Sequence, residues 1–252
     1  MIDQYINTIQ NVDCIKFSEE LPEKCIDMIV TSPPYLKGKE YETELDYDSY
    51  GTLMNNFLFS ARNIIKDNGL LFLNINGHSD FPELPFVVWN LCMQNGWTFV
   101  QEIIWYRKNA THYRSNKRLV DLKEFIFIFS AGDNYTIYPE RLLVKTTDTY
   151  GKRYGETKPI NNVWEIDTLT NNQFLELPTN GASYPIEIPS NCIILGSQEN
   201  DIIFDPFMGS GTTALACLKT NRRFIGCEIS KKYCDIAGKR ISDYQAQYKM
   251  AL

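Results

Sequence analysis

The sequence predicts an α/β domain with a mostly parallel sheet and helices on both of its faces. Three observations predict it. Strand-like and helix-like segments alternate along most of the 252 residues, two chemically distinctive turns fall directly after strand-like segments, and one long irregular stretch, 131–183, interrupts the pattern. A chain of this length with 44% hydrophobic residues can bury one substantial core. Alternating strands and helices close most simply as a parallel sheet covered on both sides, so one domain over 1–252 carrying an insertion is expected.

In chain order, residues 25–31 (Cys-Ile-Asp-Met-Ile-Val-Thr) read as a buried strand that Ser32-Pro33-Pro34 ends. Over 48–67, Leu53, Phe57, Ile64 and Ile65 recur at helical spacing, and Asn68-Gly69 is the expected stop. Residues 70–75 form a second strand, and 85–94 a helix ending before Gly96. Residues 99–106 and 124–129 are two more strands joined by a basic segment. Over 131–183, Pro, Gly, Asn and Thr are frequent and periodicity is weak, the mark of a functional loop region or small subdomain. Order returns after Pro185, with strands at 202–205 and 223–228 and helices at 212–220 and 230–248.

The net charge of −6 counts against a nucleic-acid partner unless the charges are unevenly placed. They are. Residues 107–118 carry Arg107, Lys108, Arg114, Lys117 and Arg118 with no acid, whereas acids gather at Glu40, Glu42, Glu44, Asp46 and Asp48. A phosphate-binding face and an ordinary mixed-charge surface both fit that distribution. The seven cysteines form no C-x-x-C pair, so reduced and mostly buried thiols are expected. With two histidines, His78 and His112, no metal site is expected. No apolar run reaches membrane-spanning length and the N-terminal residues lack the build of a signal peptide, so a soluble, intracellular protein without a membrane partner is expected.

The first distinctive turn is Asp205-Pro-Phe207-Met-Gly209-Ser-Gly211-Thr212-Thr213-Ala214, after a strand and opening a helix. It matches G-x-G-x-x-A, whose glycines permit a tight turn and close approach of backbone to a ligand. Free N–H groups at the helix start favour a carboxylate or phosphate, and Glu228 ends the next strand at about the spacing of a ribose-binding acid. The Gly-Lys-Ser/Thr of a P-loop is missing. A dinucleotide site would need a second mononucleotide-binding half, and only about 40 residues follow Ala214. A single nucleoside with a charged tail is expected, and S-adenosyl-L-methionine fits, with Glu228 at the ribose and the glycines at the methionine end.

The second turn is Thr31-Ser32-Pro33-Pro34-Tyr35. Two prolines after a buried strand make a stiff shelf that cannot continue the sheet. The Ser32 hydroxyl and Pro33 carbonyl can then face outward as acceptors beside an aromatic ring. That arrangement suits an amino group on a planar heterocycle. Its lone pair is delocalised, and fixed acceptors on its hydrogens stabilise charge that appears only as a methyl group is transferred. Tyr35 would stack on a base extruded from its helix. A nicotinamide oxidoreductase would leave this shelf unexplained.

The two turns resemble the catalytic and cofactor motifs of the DNA amino-methyltransferases that act on N4 of cytosine or N6 of adenine. Their order, catalytic motif first, is similar to that of the circularly permuted beta group. The resemblance spans nearly the whole chain and implies a Rossmann-like methyltransferase sheet using S-adenosyl-L-methionine, with 185–252 as its cofactor-binding part. It implies that Asp13, in Asn11-Val-Asp13-Cys14, contacts the cofactor adenine. Thr31, Asp205 and Phe207 would line the cofactor pocket, with Thr212 and Thr213 near the methionine carboxylate. Target recognition would fall within 107–118 and 131–183. Tyr184-Pro-Ile-Glu-Ile-Pro189 is similar to the family's His-Pro-x-x-aromatic-Pro segment, with tyrosine in place of the histidine and isoleucine in place of the aromatic, and Asp13 lacks the usual preceding glycine. Serine before Pro-Pro implies cytosine N4 over adenine N6, and no Pro-Cys pair exists for methylation at carbon 5. The partner implied is double-stranded DNA, in a cytoplasmic setting. RNA or a free base would reuse both turns, and a homodimer and a cognate restriction endonuclease are both open.

Overall fold

The computed structural model describes residues 2–36, 46–109, 116–145, 156–169 and 184–250, with side chains to 247. The N-terminal part runs β1 (Thr8–Gln10), α1 (Cys14–Glu20), β2 (Ile26–Thr31), α2 (Tyr47–Ile64), β3 (Ile65–Ile75) and α3 (Leu84–Gln94). Then come β4 (Thr98–Tyr106), β5 (Lys123–Ser130), β6 (Leu143–Lys145), β7 (Thr157–Pro159) and β8 (Val163–Glu165). The last part is α4 (Glu187–Gly196), β9 (Ile202–Asp205), α5 (Thr212–Lys219), β10 (Arg223–Cys227) and α6 (Lys231–Met250).

Eight strands form one sheet in the order β1-β10-β9-β2-β3-β5-β4-β8, and β6 pairs with β7 separately. The pairings β1–β10, β10–β9, β9–β2 and β2–β3 are parallel, as is β4–β8; only β5 runs against its neighbours β3 and β4. Alternate residues of each strand serve opposite faces. Ile29, Leu71, Leu73 and Phe204 pack with α1, α2 and α3 on one face, and Met28, Val30, Phe72 and Ile203 pack with α4 and α5 on the other.

From β9 the chain crosses through α5 to β10, whereas from β2 it crosses through α2, on the opposite face, to β3. β2 and β9 are hydrogen-bonded neighbours, so their carboxyl ends flank the topological switch point where open α/β sheets bind ligands. The first and last strands, β1 and β10, pair in register, Ile9 opposite Gly226.

Three expectations are corrected, and one helix is added. The helix predicted over 48–67 stops at Ile64, because Ile65 is already extended, fully buried and paired with Ile26. Gly69 is not a stop but a close approach, since a Cβ there would lie 2.5 Å from the Ile65 side chain and 2.9 Å from the Asp27 carbonyl. Residues 187–196 are helical, which periodicity misses because Ile188, Pro189, Cys192, Ile193 and Leu195 are all buried. The stretch 131–183, expected to be irregular, holds three strands in its described parts, each of three residues and too short to show a period. Of these, β8 extends the main sheet, with Trp164 buried beside β4. Among the described residues no helix is long and apolar enough to cross a membrane, no His/Cys/Asp/Glu group could hold a metal ion, and all seven cysteines are free.

Candidate active site

Both sequence-predicted turns lie at the carboxyl ends of adjacent strands, and one buried side chain ties them together. Asp205, at the end of β9, is 1% exposed. Its Oδ1 accepts from the Thr31 hydroxyl at the end of β2 (2.7 Å) and from the Phe207 N–H (3.1 Å), while Oδ2 accepts from the Thr213 hydroxyl in α5 (2.6 Å). Three of its roughly four acceptor positions are thereby filled. Burial dominates its titration and raises the pKa to about 6 against the pull of those donors. Since Thr213 gives its proton to Asp205, Tyr184 donates to Thr213 Oγ1 at 2.6 Å. The tyrosine standing in the place of a histidine thus joins the same cluster, and burial raises its pKa well above the usual range.

The glycine turn is held open by geometry and from behind by charge. Gly209 (φ 53°) and Gly211 (φ 82°) both have left-handed backbone. A Cβ on Gly211 would lie 2.9 Å from Ala237 of α6, whereas one on Gly209 would meet nothing nearer than the Phe207 carbonyl at 3.9 Å. The backbone at Gly209 is therefore open to a ligand. Gly211 caps α5 with no side-chain hydrogen bond, which leaves first-turn N–H groups for an anion. Glu228, beyond β10, accepts from the Gly209 N–H (2.9 Å) with one oxygen and from the Ser230 N–H (2.8 Å) with the other. Burial raises its pKa. Arg240 of α6 donates to the Ser210 carbonyl (2.6 Å) and hydroxyl (3.0 Å) and to Thr212 Oγ1 (3.3 Å), fixing the turn's far side. Phe207 packs edge-on against Phe57 of α2, with ring centroids 5.3 Å apart.

Asp13 follows β1 at the same end of the sheet and caps α1, accepting from the N–H groups of Ile15 (3.0 Å) and Lys16 (3.1 Å) through Oδ1. Asn11 donates to the carbonyls of Glu228 and Ile229, both at 2.9 Å, and so joins the ends of β1 and β10. Acids from three neighbouring parallel strands, Asp13, Glu228 and Asp205, therefore line one end of the sheet.

At the second turn, Pro33 is buried and Ser32, Pro34 and Tyr35 are half-buried. Ser32 Oγ lies 2.9 Å from the Tyr35 hydroxyl and 3.5 Å from Asn74 Oδ1. The Tyr35 hydroxyl points inward, to the carbonyl oxygen (3.0 Å) and Oδ1 (3.1 Å) of Asn74 in β3 and to Glu124 Oε2 (3.3 Å) in β5. Burial raises its pKa well above the usual range.

The basic residues divide. Arg107, expected on a DNA face, turns inward, donating to Glu124 Oε1 (3.3 Å) and to the carbonyls of Asp121 (2.7 Å) and Lys123 (3.4 Å). Its side chain is needed to neutralise a buried carboxylate. Lys108, Lys117 and Arg118 are exposed, and Arg114 lies outside the described residues. Their loop joins the end of β4 to β5, at the same end of the sheet as the two turns. Sequence reasoning missed Asn74, Glu124 and Arg240. The signals were a polar residue inside the apolar run Leu-Leu-Phe-Leu-Asn-Ile and an acid opening a strand of phenylalanines.

The sequence profile of a DNA methylase family, the N6/N4 methyltransferases, matches residues 26–239. The chain belongs to this family. Family relatives span it almost fully: a Type II methyltransferase of Citrobacter freundii, M.Cfr9I, is 26% identical and covers 93% of this chain and 87% of its own. Among solved structures, the PvuII DNA methyltransferase (cytosine-N4-specific) superposes with a TM-score of 0.73 at 19% identity over 91% of this chain and 84% of that one. The Thermus thermophilus protein TTHA0409, solved in complex with S-adenosyl-L-methionine, gives 0.68 at 20% identity over 94% and 93%. Both share the fold of this chain.

Proposed function

We propose that this chain is an S-adenosylmethionine-dependent DNA methyltransferase that modifies the exocyclic N4 amino group of cytosine in duplex DNA. The observation that carries the reading is the Asp205 cluster, which locks a nucleoside-binding glycine turn and an amino-gripping Ser-Pro-Pro-Tyr shelf onto adjacent strand ends. The residues present fit the cofactor. The open backbone at Gly209, the tight turn at Gly211 and the N–H groups of Thr212 and Thr213 suit the methionine end, with the fourth acceptor position of Asp205 within the same turn. Glu228 suits the ribose, Asp13 the adenine, and Phe207 and Thr31 the walls between. Bound there, the cofactor supplies an electrophilic methyl group on a sulfonium.

The chain's own residues act on the acceptor. Ser32 and the Pro33 carbonyl grip the amino hydrogens, drawing the nitrogen lone pair out of conjugation, and Pro34 keeps the shelf rigid. The Tyr35 hydroxyl is held inward, and its ring would stack on an extruded base. Lys108, Arg114, Lys117 and Arg118 would track phosphates, while 131–183 and the rest of the 107–118 loop read the sequence.

Cytosine is favoured because position 32 is a neutral hydroxyl, the family pattern for N4, and because the PvuII enzyme of the same fold is named cytosine-N4-specific. The alternative is adenine N6. Methylation of mixed-sequence duplex DNA, digestion to nucleosides and mass spectrometry decide between them. N4-methylcytosine is expected, and N6-methyladenine overturns the base assignment while leaving the fold and pocket in place.

A further inference from the structure

We propose that Glu124, held by Arg107, sets the direction of the Ser32–Tyr35 hydrogen bond and receives the proton that the methylated amino group sheds. This rests on the methyltransferase reading above and adds to it a positioning residue on a third strand.

A serine hydroxyl has one hydrogen and two lone pairs. To grip an amino hydrogen, Ser32 must present a lone pair outward, so its own hydrogen must go elsewhere. The Tyr35 oxygen, 2.9 Å away, can take it only if the tyrosine proton is directed away from Ser32. That is what the far side provides. Tyr35 faces three acceptors there: the Asn74 carbonyl (3.0 Å), Asn74 Oδ1 (3.1 Å) and Glu124 Oε2 (3.3 Å). The Asn74 amide is oriented by giving its Nδ2 hydrogens to Glu124 Oε2 (3.2 Å) and the Phe125 carbonyl (3.1 Å), which turns Oδ1 toward the tyrosine. Arg107 completes the set on Glu124 Oε1 at 3.3 Å. Tyr35, Asn74 and Arg107 each place a donor within reach of Glu124, a carboxylate only 7% exposed. A buried charge of this kind is costly unless paired and hydrogen-bonded, and here it polarises the whole chain of hydroxyls in one direction.

The same chain offers the proton a path. As the N–CH3 bond forms and the S–CH3 bond of the sulfonium that the cofactor would supply breaks, its electron pair staying on sulfur, the target nitrogen acquires a positive charge and must lose one hydrogen. That hydrogen passes to Ser32 Oγ as Ser32 gives its own to Tyr35 and Tyr35 gives its own to Glu124 Oε2. The N–H electron pair stays on nitrogen, both hydroxyls end as they began, and the carboxylate ends as a carboxylic acid that later releases its proton to water. No other reactant is required.

The test is a double-mutant cycle on single-turnover methyl transfer, with cofactor affinity measured by calorimetry and DNA affinity by titration. Glu124→Gln keeps the shape but can donate toward Tyr35 and reverse the chain, whereas Tyr35→Phe breaks the chain and leaves both the ring and the Arg107–Glu124 pair intact. Each is expected to slow transfer by about a hundredfold, the scale of a lost general base. Both affinities should stay within about twofold, as for an interaction made only in the transition state. The double variant should be no slower than the slower single one. Transfer at the wild-type rate in either single variant overturns the proposal, as does multiplication of the two losses, which would make Glu124 act independently of Tyr35. If Glu124→Gln does not fold, Tyr35→Phe alone decides. Ser32→Ala separates the two levels: full transfer there sinks the methyltransferase reading of the shelf, whereas loss there with full transfer in Glu124→Gln sinks only the relay.

Discussion

At Asp205, burial and hydrogen bonding oppose each other on a single carboxyl group. Burial is the larger effect and lifts the pKa from 3.8 to about 6. A carboxyl that binds its proton more tightly when folded favours folding at low pH, and that contribution fades as pH rises between those two values. The rise corresponds to about 3 kcal/mol. Asp205→Asn removes this titration, so the stability of the wild type relative to the variant should fall by about 2 kcal/mol of that between pH 4 and 6.5 in urea melts without cofactor. A difference that stays flat with pH would mean that the three donors outweigh burial. The placement of Asp205, Glu228 and Ser32 at one end of the sheet was legible because each stands at or just beyond the end of a readable strand. Asn74, Glu124 and Arg240 were not, because they meet the turns only across neighbouring strands and helices, and sequence distance hides such contacts. Arg107 shows the reverse error, since a cation in a basic run looks exposed until the buried acid 17 residues away is seen.

At the scale of elements, the fully buried strands were the easiest to read. β2, β9 and β10 are short apolar runs that end in polar turns, so both period and boundary were visible. β1, with no fully buried residue, and α4, with apolar residues on several sides, gave no such contrast. β8 was hidden for a different reason: its three residues, paired with β4, bury one side chain, Trp164, too little to show a period. Trp164→Ala should therefore cost about 3–5 kcal/mol, a typical price for a large core truncation. Because β8 lies at the sheet edge far from β9 and β10, cofactor affinity should be preserved in the fraction that folds. A calorimetric titration that shows affinity lost along with stability would place β8 in the cofactor site. Gly211→Ala is the complementary case, since its φ of 82° and a 2.9 Å contact to Ala237 both resist a side chain. It should weaken cofactor binding through displacement of the turn, and an unchanged dissociation constant would show that the turn does not hold the ligand.

For the whole molecule, a net charge of −6 coexists with a basic loop set at the end of the sheet where both turns lie. Placement, not total charge, decides whether DNA can approach. Replacing Lys108 and Arg118 with glutamine should weaken DNA binding and reduce the slope of log affinity against log salt by about two units, one for each lost phosphate contact. An unaltered slope would move the DNA face elsewhere. The order of motifs was legible in the sequence, yet what it accomplishes appears only in three dimensions. β2 lies beside β9, so the Ser-Pro-Pro-Tyr turn and the glycine turn, 174 residues apart at Thr31 and Asp205, share one hydrogen bond. The most direct test of that arrangement is a paired measurement of cofactor affinity and single-turnover DNA methyl transfer in Ser32→Ala and Glu228→Ala. Ser32→Ala is expected to keep its affinity and lose transfer by about a hundredfold or more, whereas Glu228→Ala should lose affinity first. Equal loss of affinity in both variants, or transfer undiminished in Ser32→Ala, would contradict a site divided between a cofactor turn and a catalytic turn.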